Sequence, residues 1–104
     1  MPVPTLKALP GYPLTDSYYR AVAHIVGSCP RLRDVIRPTE DGLDFDREAA
    51  GVLSSGEWLL FTLAAHLFHA SALQPEWDVS RAISTMGDPF WRIAMEAIEI
   101  RRHG

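Results

Sequence analysis

The sequence predicts an all-α fold, a small helical bundle of four to six helices with a central apolar helix and an extended Pro-rich N-terminal arm. Three observations carry this expectation. Apolar residues recur at helical spacing in several segments, a doubled helix-start signal stands at residues 53–58, and four prolines crowd into the first thirteen residues. A chain of 104 residues is the size of one domain. Residues 1–14 are read as the arm and residues 15–104 as a single helical domain.

The arm takes its character from Pro2, Pro4, Pro10 and Pro13, which remove backbone donors and keep the chain extended or turning. A first helix is expected from Thr15 to Gly27, with Thr15 as N-cap and Leu14 and Tyr19 spaced as a hydrophobic staple. Tyr18, Val22, Ile25 and Cys29 share its apolar face. Ser17, Arg20 and His24 fall on the other, which is expected to face solvent. Arg31 to Arg37 holds a turn or two at most, because Pro38 biases its predecessor away from helical geometry. Leu43 to Phe45 reads as extended, but a lone short strand makes no sheet, so any sheet should be marginal. Asp46 to Leu53 reads as a two-turn helix capped by Asp44 or Asp46.

The central helix is expected from Glu57 to Leu73. Ser54 and Glu57 have the spacing of a capping box, while Leu53 and Trp58 have that of the staple fixing the entry angle. The letters Leu53-Ser54-Ser55-Gly56-Glu57 also resemble the signature of ABC-type ATPases. The chain carries no Walker A phosphate loop, and the capping box accounts for the same letters. Gln74 and Pro75 end the helix, and Asp78 caps a short helix reaching Met86. Gly87-Asp88-Pro89 then opens a last helix that runs to about Arg102, with Pro89 at its first position. On that helix Arg92, Glu96, Glu99 and His103 form a polar stripe, in which Arg92 and Glu96 are placed for an ion pair. The central and last helices are expected to pack together in the core.

Composition narrows the function classes. A formal charge of -3 makes nucleic acid an unlikely partner, since phosphate neutralisation needs a concentrated excess of Lys and Arg. Cys29 is the one cysteine, so neither an intramolecular disulfide nor a thiolate zinc site can form within one chain. No secretory signal pattern opens the sequence, and the longest apolar run carries His66 and His69, so a cytoplasmic protein with no membrane role is expected.

Candidate sites are few. Thr62, His66 and His69 make one narrow polar stripe on the central helix, and two histidines three apart do not complete a metal site. No metal, cofactor or convergent catalytic set is read from the sequence. Cys29 and His24 lie on different sides of the first helix, which disfavours a thiol and base pair. Residues 40–48 concentrate carboxylates without calcium-loop spacing, and Asp41, Asp44, Asp46 and Glu48 are candidates for docking a basic partner. The apolar supply of the two long helices exceeds what one core obviously needs. Either the arm and short helices cover it, or a protein partner or a second copy of the chain does. The candidate interface is Trp58, Thr62, His66, His69, Trp77, Phe90, Trp91 and Met95, because aromatic and Met side chains are enriched at interfaces. The function expected is that of a non-catalytic small helical interaction protein, acting as an accessory, adaptor or regulatory subunit. The alternative is a helix-turn-helix-type DNA-binding regulator using residues 79–102.

Overall fold

A computed structural model describes residues 16–39, 42–68 and 77–103. The expected arm over residues 1–14 lies outside them, as do Asp41, His69 and the stretch 70–73 of the expected central helix. Four α-helices stand in the order α1 (Ser17–Ser28), α2 (Ser55–Leu67), α3 (Val79–Thr85) and α4 (Asp88–Arg102). Between α1 and α2 come a 3-10 turn, Pro30–Asp34, two strands, β1 (Ile36–Thr39) and β2 (Gly42–Phe45), and a second 3-10 turn, Ala49–Val52. The chain is mostly helical, but it is not all-α.

The sheet is the main correction. Leu43 to Phe45 is not a lone strand, because Ile36–Thr39 pairs with it antiparallel in the register Ile36↔Phe45 to Thr39↔Gly42. The N–H of Asp46 donates to the carbonyl of Val35 at 2.8 Å, which sets the phase of the ladder beyond it. In that phase Pro38 turns its nitrogen to the outer side of the pair, where no ladder donor is needed, and so a proline sits inside a strand. Arg37 fastens the two strands from outside, with Nη2 3.2 Å from Asp44 Oδ2 and 2.9 Å from Asp46 Oδ2. Gly42 starts β2 at φ 148°, a backbone conformation that side chains other than hydrogen resist.

Helix starts follow local chemistry. The cap of α1 is Asp16, whose Oδ1 accepts the N–H of Tyr19 at 3.0 Å, one residue beyond the expected Thr15. At α2 both halves of the capping box are present: Glu57 N–H donates to Ser54 Oγ at 3.2 Å, and Ser54 N–H to Glu57 Oε1 at 2.9 Å. Asp78 caps α3 through the N–H of Arg81 at 3.0 Å. Gly87 is the N-cap of α4, which places Pro89 at the second helical position and not the first. Asp46 to Leu53 forms only the 3-10 turn Ala49–Val52, led in by Asp46 Oδ1 accepting from Ala49 N–H at 2.9 Å. Among the described residues the central helix runs to Leu67, with Phe68 as C-cap.

The core joins α1, α2, α4 and the hairpin. Every residue from Leu59 to Ala65 is buried, so α2 is enclosed over its middle turns. The most extensive helix contact, however, is α1 against α4, not α2 against α4. The fully buried positions of α4 are Ala94 and Ala97, whose small side chains let a neighbouring helix come close. Ser17 and His24, expected toward solvent, are buried by that packing. His24 Nε2 lies 3.0 Å from Glu96 Oε1, so Glu96 reaches across to α1 and not down its own helix to Arg92. Arg101 ties three helices together. Its Nε donates to the Leu67 carbonyl at the C-terminal end of α2 at 3.1 Å, and its guanidinium lies 3.5 Å above the ring of Tyr18 in α1.

Candidate functional site

The aromatic residues singled out in the sequence divide between core and surface. Phe45 and Phe61 meet edge to face at 6.0 Å, Tyr19 and Phe68 at 4.9 Å, and Trp58 stacks on Phe61 at 5.5 Å. Trp58 is therefore part core and part surface. Phe90 lies over Gly56 in the first turn of α2, where an added methyl group would come within 2.4 Å of its ring. Trp77, Phe90 and Met95 are half-buried against the core, and Trp91 is half-buried. The indole nitrogen of Trp77 is enclosed without a hydrogen-bond partner, which costs the fold and marks a polar atom left over from packing.

Of the polar stripe expected on α2, Thr62 and His66 are among the described residues. Thr62 is buried and returns its hydroxyl to the Leu59 carbonyl at 2.9 Å, whereas His66 is exposed. Among the described residues no group of three or more His, Cys, Asp or Glu side chains is placed to hold a metal ion. Cys29 is buried, and burial followed by the nearby Glu57 carboxylate pushes its thiol above the ordinary range, the reverse of what a nucleophile needs. The carboxylates of the hairpin are engaged within the chain. Asp44 and Asp46 both hold Arg37, and the pKa of Asp46 is lowered first by the N–H of Ala49 and then by Arg37. Glu48 is exposed.

Apolar surface emerges where the sequence did not direct attention. Val52 in the second 3-10 turn is 77% exposed, and on α3 Val79 and Ile83, at i and i+4, are 50% and 66% exposed. An open groove of about 320 Å³ is lined by Ala50, Gly51, Leu53, Ser55, Trp58 and Arg81. The capping box of Ser54 and Glu57 stands in the chain between Leu53 and Trp58, two of the residues that line this groove. Of the described residues proposed from sequence, Trp58 alone lines it. Val79 and Ile83 are legible in the sequence by their i, i+4 spacing on the short helix α3.

The exposed positions of α4 include Asp88, Arg92, Glu99 and Arg102, which alternate in sign, and the C-cap His103 is exposed beyond them. Glu99 pairs with Arg102 at 3.2 Å and with His103 at 3.1 Å. They form no continuous basic stripe along the helix. No helix among the described residues is long and apolar enough to cross a membrane. No family model, curated protein or solved structure matches the chain.

Proposed function

We propose that this chain is a non-catalytic interaction protein, an accessory or adaptor subunit that holds a protein partner through apolar side chains of α3 and of the 3-10 turn before α2. The observation that carries this reading is the exposure of Val52, Val79 and Ile83 in a chain whose central apolar helix is itself enclosed. Large aliphatic side chains held in water on short elements cost the free chain, and a partner that covers them recovers roughly 25 cal/mol for each Å² of apolar surface removed from water.

The test is a comparison of the native chain with a Val79→Asp, Ile83→Asp double variant. Both positions are exposed, so the variant is expected to keep the far-UV circular dichroism and melting temperature of the parent. Proteins retained from an extract of the native host are expected to be lost from the double variant. Identical retention by both chains would sink the reading. Sedimentation equilibrium separates the two kinds of partner, since a second copy doubles the 11.6 kDa mass and a different protein does not.

A further inference from the structure

The two edges of the hairpin differ. The bond from Asp46 N–H to the Val35 carbonyl, with the register, makes Arg37↔Asp44 and Thr39↔Gly42 the hydrogen-bonded pairs of the ladder. Ile36 and Pro38 on β1, and Leu43 and Phe45 on β2, therefore turn their backbone groups away from the pair. On the β1 side Pro38 has no N–H to offer, and Ile36 already has a partner. On the β2 side, among the described residues, nothing bonds to the N–H and C=O groups of Leu43 and Phe45. We propose that this β2 edge takes up an extended segment of a partner protein as a third strand, with Lys or Arg opposite Asp44. The surface is separate from α3, and the inference does not depend on the side chains exposed there.

Backbone pairing carries the choice of occupant. Donor and acceptor groups at i and i+2 along one edge are what the backbone of another extended chain complements. Unpaired backbone groups shut away from water are rare because they are costly, so in the free chain these meet water. The side chains then set the sequence of the strand that replaces it. Leu43 and Phe45 are half-buried against the core, with Phe45 meeting Phe61 and Phe68. Asp44 between them points to the other face and its side chain is 51% exposed. Arg37 is shared by Asp44 and Asp46, a single guanidinium for two carboxylates, so that face keeps negative charge. The neighbouring pairs Arg33 and Asp34, and Arg47 and Glu48, cancel. A basic side chain directly across from Asp44 is therefore stabilising, with apolar residues on either side of it over Leu43 and Phe45. A second copy of the chain fits badly. A two-fold pairing that uses Leu43 and Phe45 of both copies sets Asp44 directly opposite Asp44, and like charges in that position destabilise a sheet.

The experiment selects a random heptapeptide library displayed on phage against the full 104-residue chain, then titrates the enriched sequences as synthetic peptides while NMR follows amide exchange. In the free chain Leu43 and Phe45 are expected to exchange their amide protons freely, while Asp44, whose N–H faces Arg37 in the ladder, is protected. Enriched peptides are expected to alternate apolar residues with Lys or Arg. They should slow exchange at Leu43 and Phe45 by about tenfold or more and leave Asp44 little changed. N-methylation along the peptide should weaken binding about tenfold or more at every second amide and little at those between, the signature of a strand. Asp44→Asn is expected to fold, since Asp46 still holds Arg37 at 2.9 Å, and to bind the basic peptides about threefold more weakly. No enrichment, peptides that leave Leu43 and Phe45 exchanging freely, methylation effects without alternation, or equal affinity for the Asp44→Asn variant would each overturn the proposal. So would protection of both amides in the free chain, which means that the edge is already covered by the chain itself or by a second copy.

Discussion

At Gly56 the usual advantage of alanine in a helix is reversed by a single ring. Alanine is ordinarily worth about 1 kcal/mol over glycine in a helix interior, but here its methyl would stand 2.4 Å from Phe90 Cδ2. Gly56→Ala is expected to destabilise the fold by about 1–3 kcal/mol, the usual cost of overpacking. The same change in a Phe90→Ala background should show little or none of that cost, and urea denaturation of the four proteins measures the difference. Cys29 offers a second test. Because the folded chain holds the thiol proton more tightly than the unfolded chain, this contribution is complete below the ordinary thiol value, about 8.5, and is lost as pH rises beyond it. At pH 8 a disulfide reagent should modify Cys29 only as fast as the core opens, and modification at the rate of a small free thiol would contradict its burial. Asp46 titrates in the opposite sense. Its lowered value gives stability present above the ordinary carboxylate range and lost as pH falls through the folded value. Asp46→Asn should remove that acid-side dependence from the amide shift of Ala49, followed by NMR.

Among the elements, those set by neighbours in sequence were legible and those set by distant partners were not. The start of α2 was readable because Ser54 and Glu57 are three positions apart and bond to each other directly. Ser54→Ala should cost about 1 kcal/mol, and a change in thermal midpoint smaller than error would show that the box contributes nothing. The cap of α3 at Asp78 was readable for the same reason. The hairpin was hidden, since Pro38 argues against a strand until the side its nitrogen faces is known, and that depends on pairing. The angle of His24 on α1 points to solvent, and only the arrival of Glu96 on α4 reverses that. The groove was half legible. Trp58 was named from its sequence context, whereas Arg81 enters by the packing of α3 beside α2, which no local pattern encodes.

Over the whole molecule, the contacts that close the structure belong to α4. Glu96 meets the buried His24, Arg101 reaches the end of α2 and the ring of Tyr18, and Phe90 covers the first turn of α2. Glu96→Ala leaves His24 Nε2 unpaired beside an Nδ1 that already lacks a partner, and should destabilise the chain by about 1–3 kcal/mol. Glu96→Gln, which keeps an acceptor, should lose less, and thermal denaturation of the two variants tests the order. The seam between α1 and α4 also joins residues 72 positions apart, which bears on when the fold completes during synthesis. The first helix leaves the ribosome long before its main partner exists, and until then Ala21, Val22, Ile25 and Val26 have no α4 to cover them. A nascent chain halted before Asp88 should thus stay open to protease and to chaperones, and acquire protection only once the last helix has emerged.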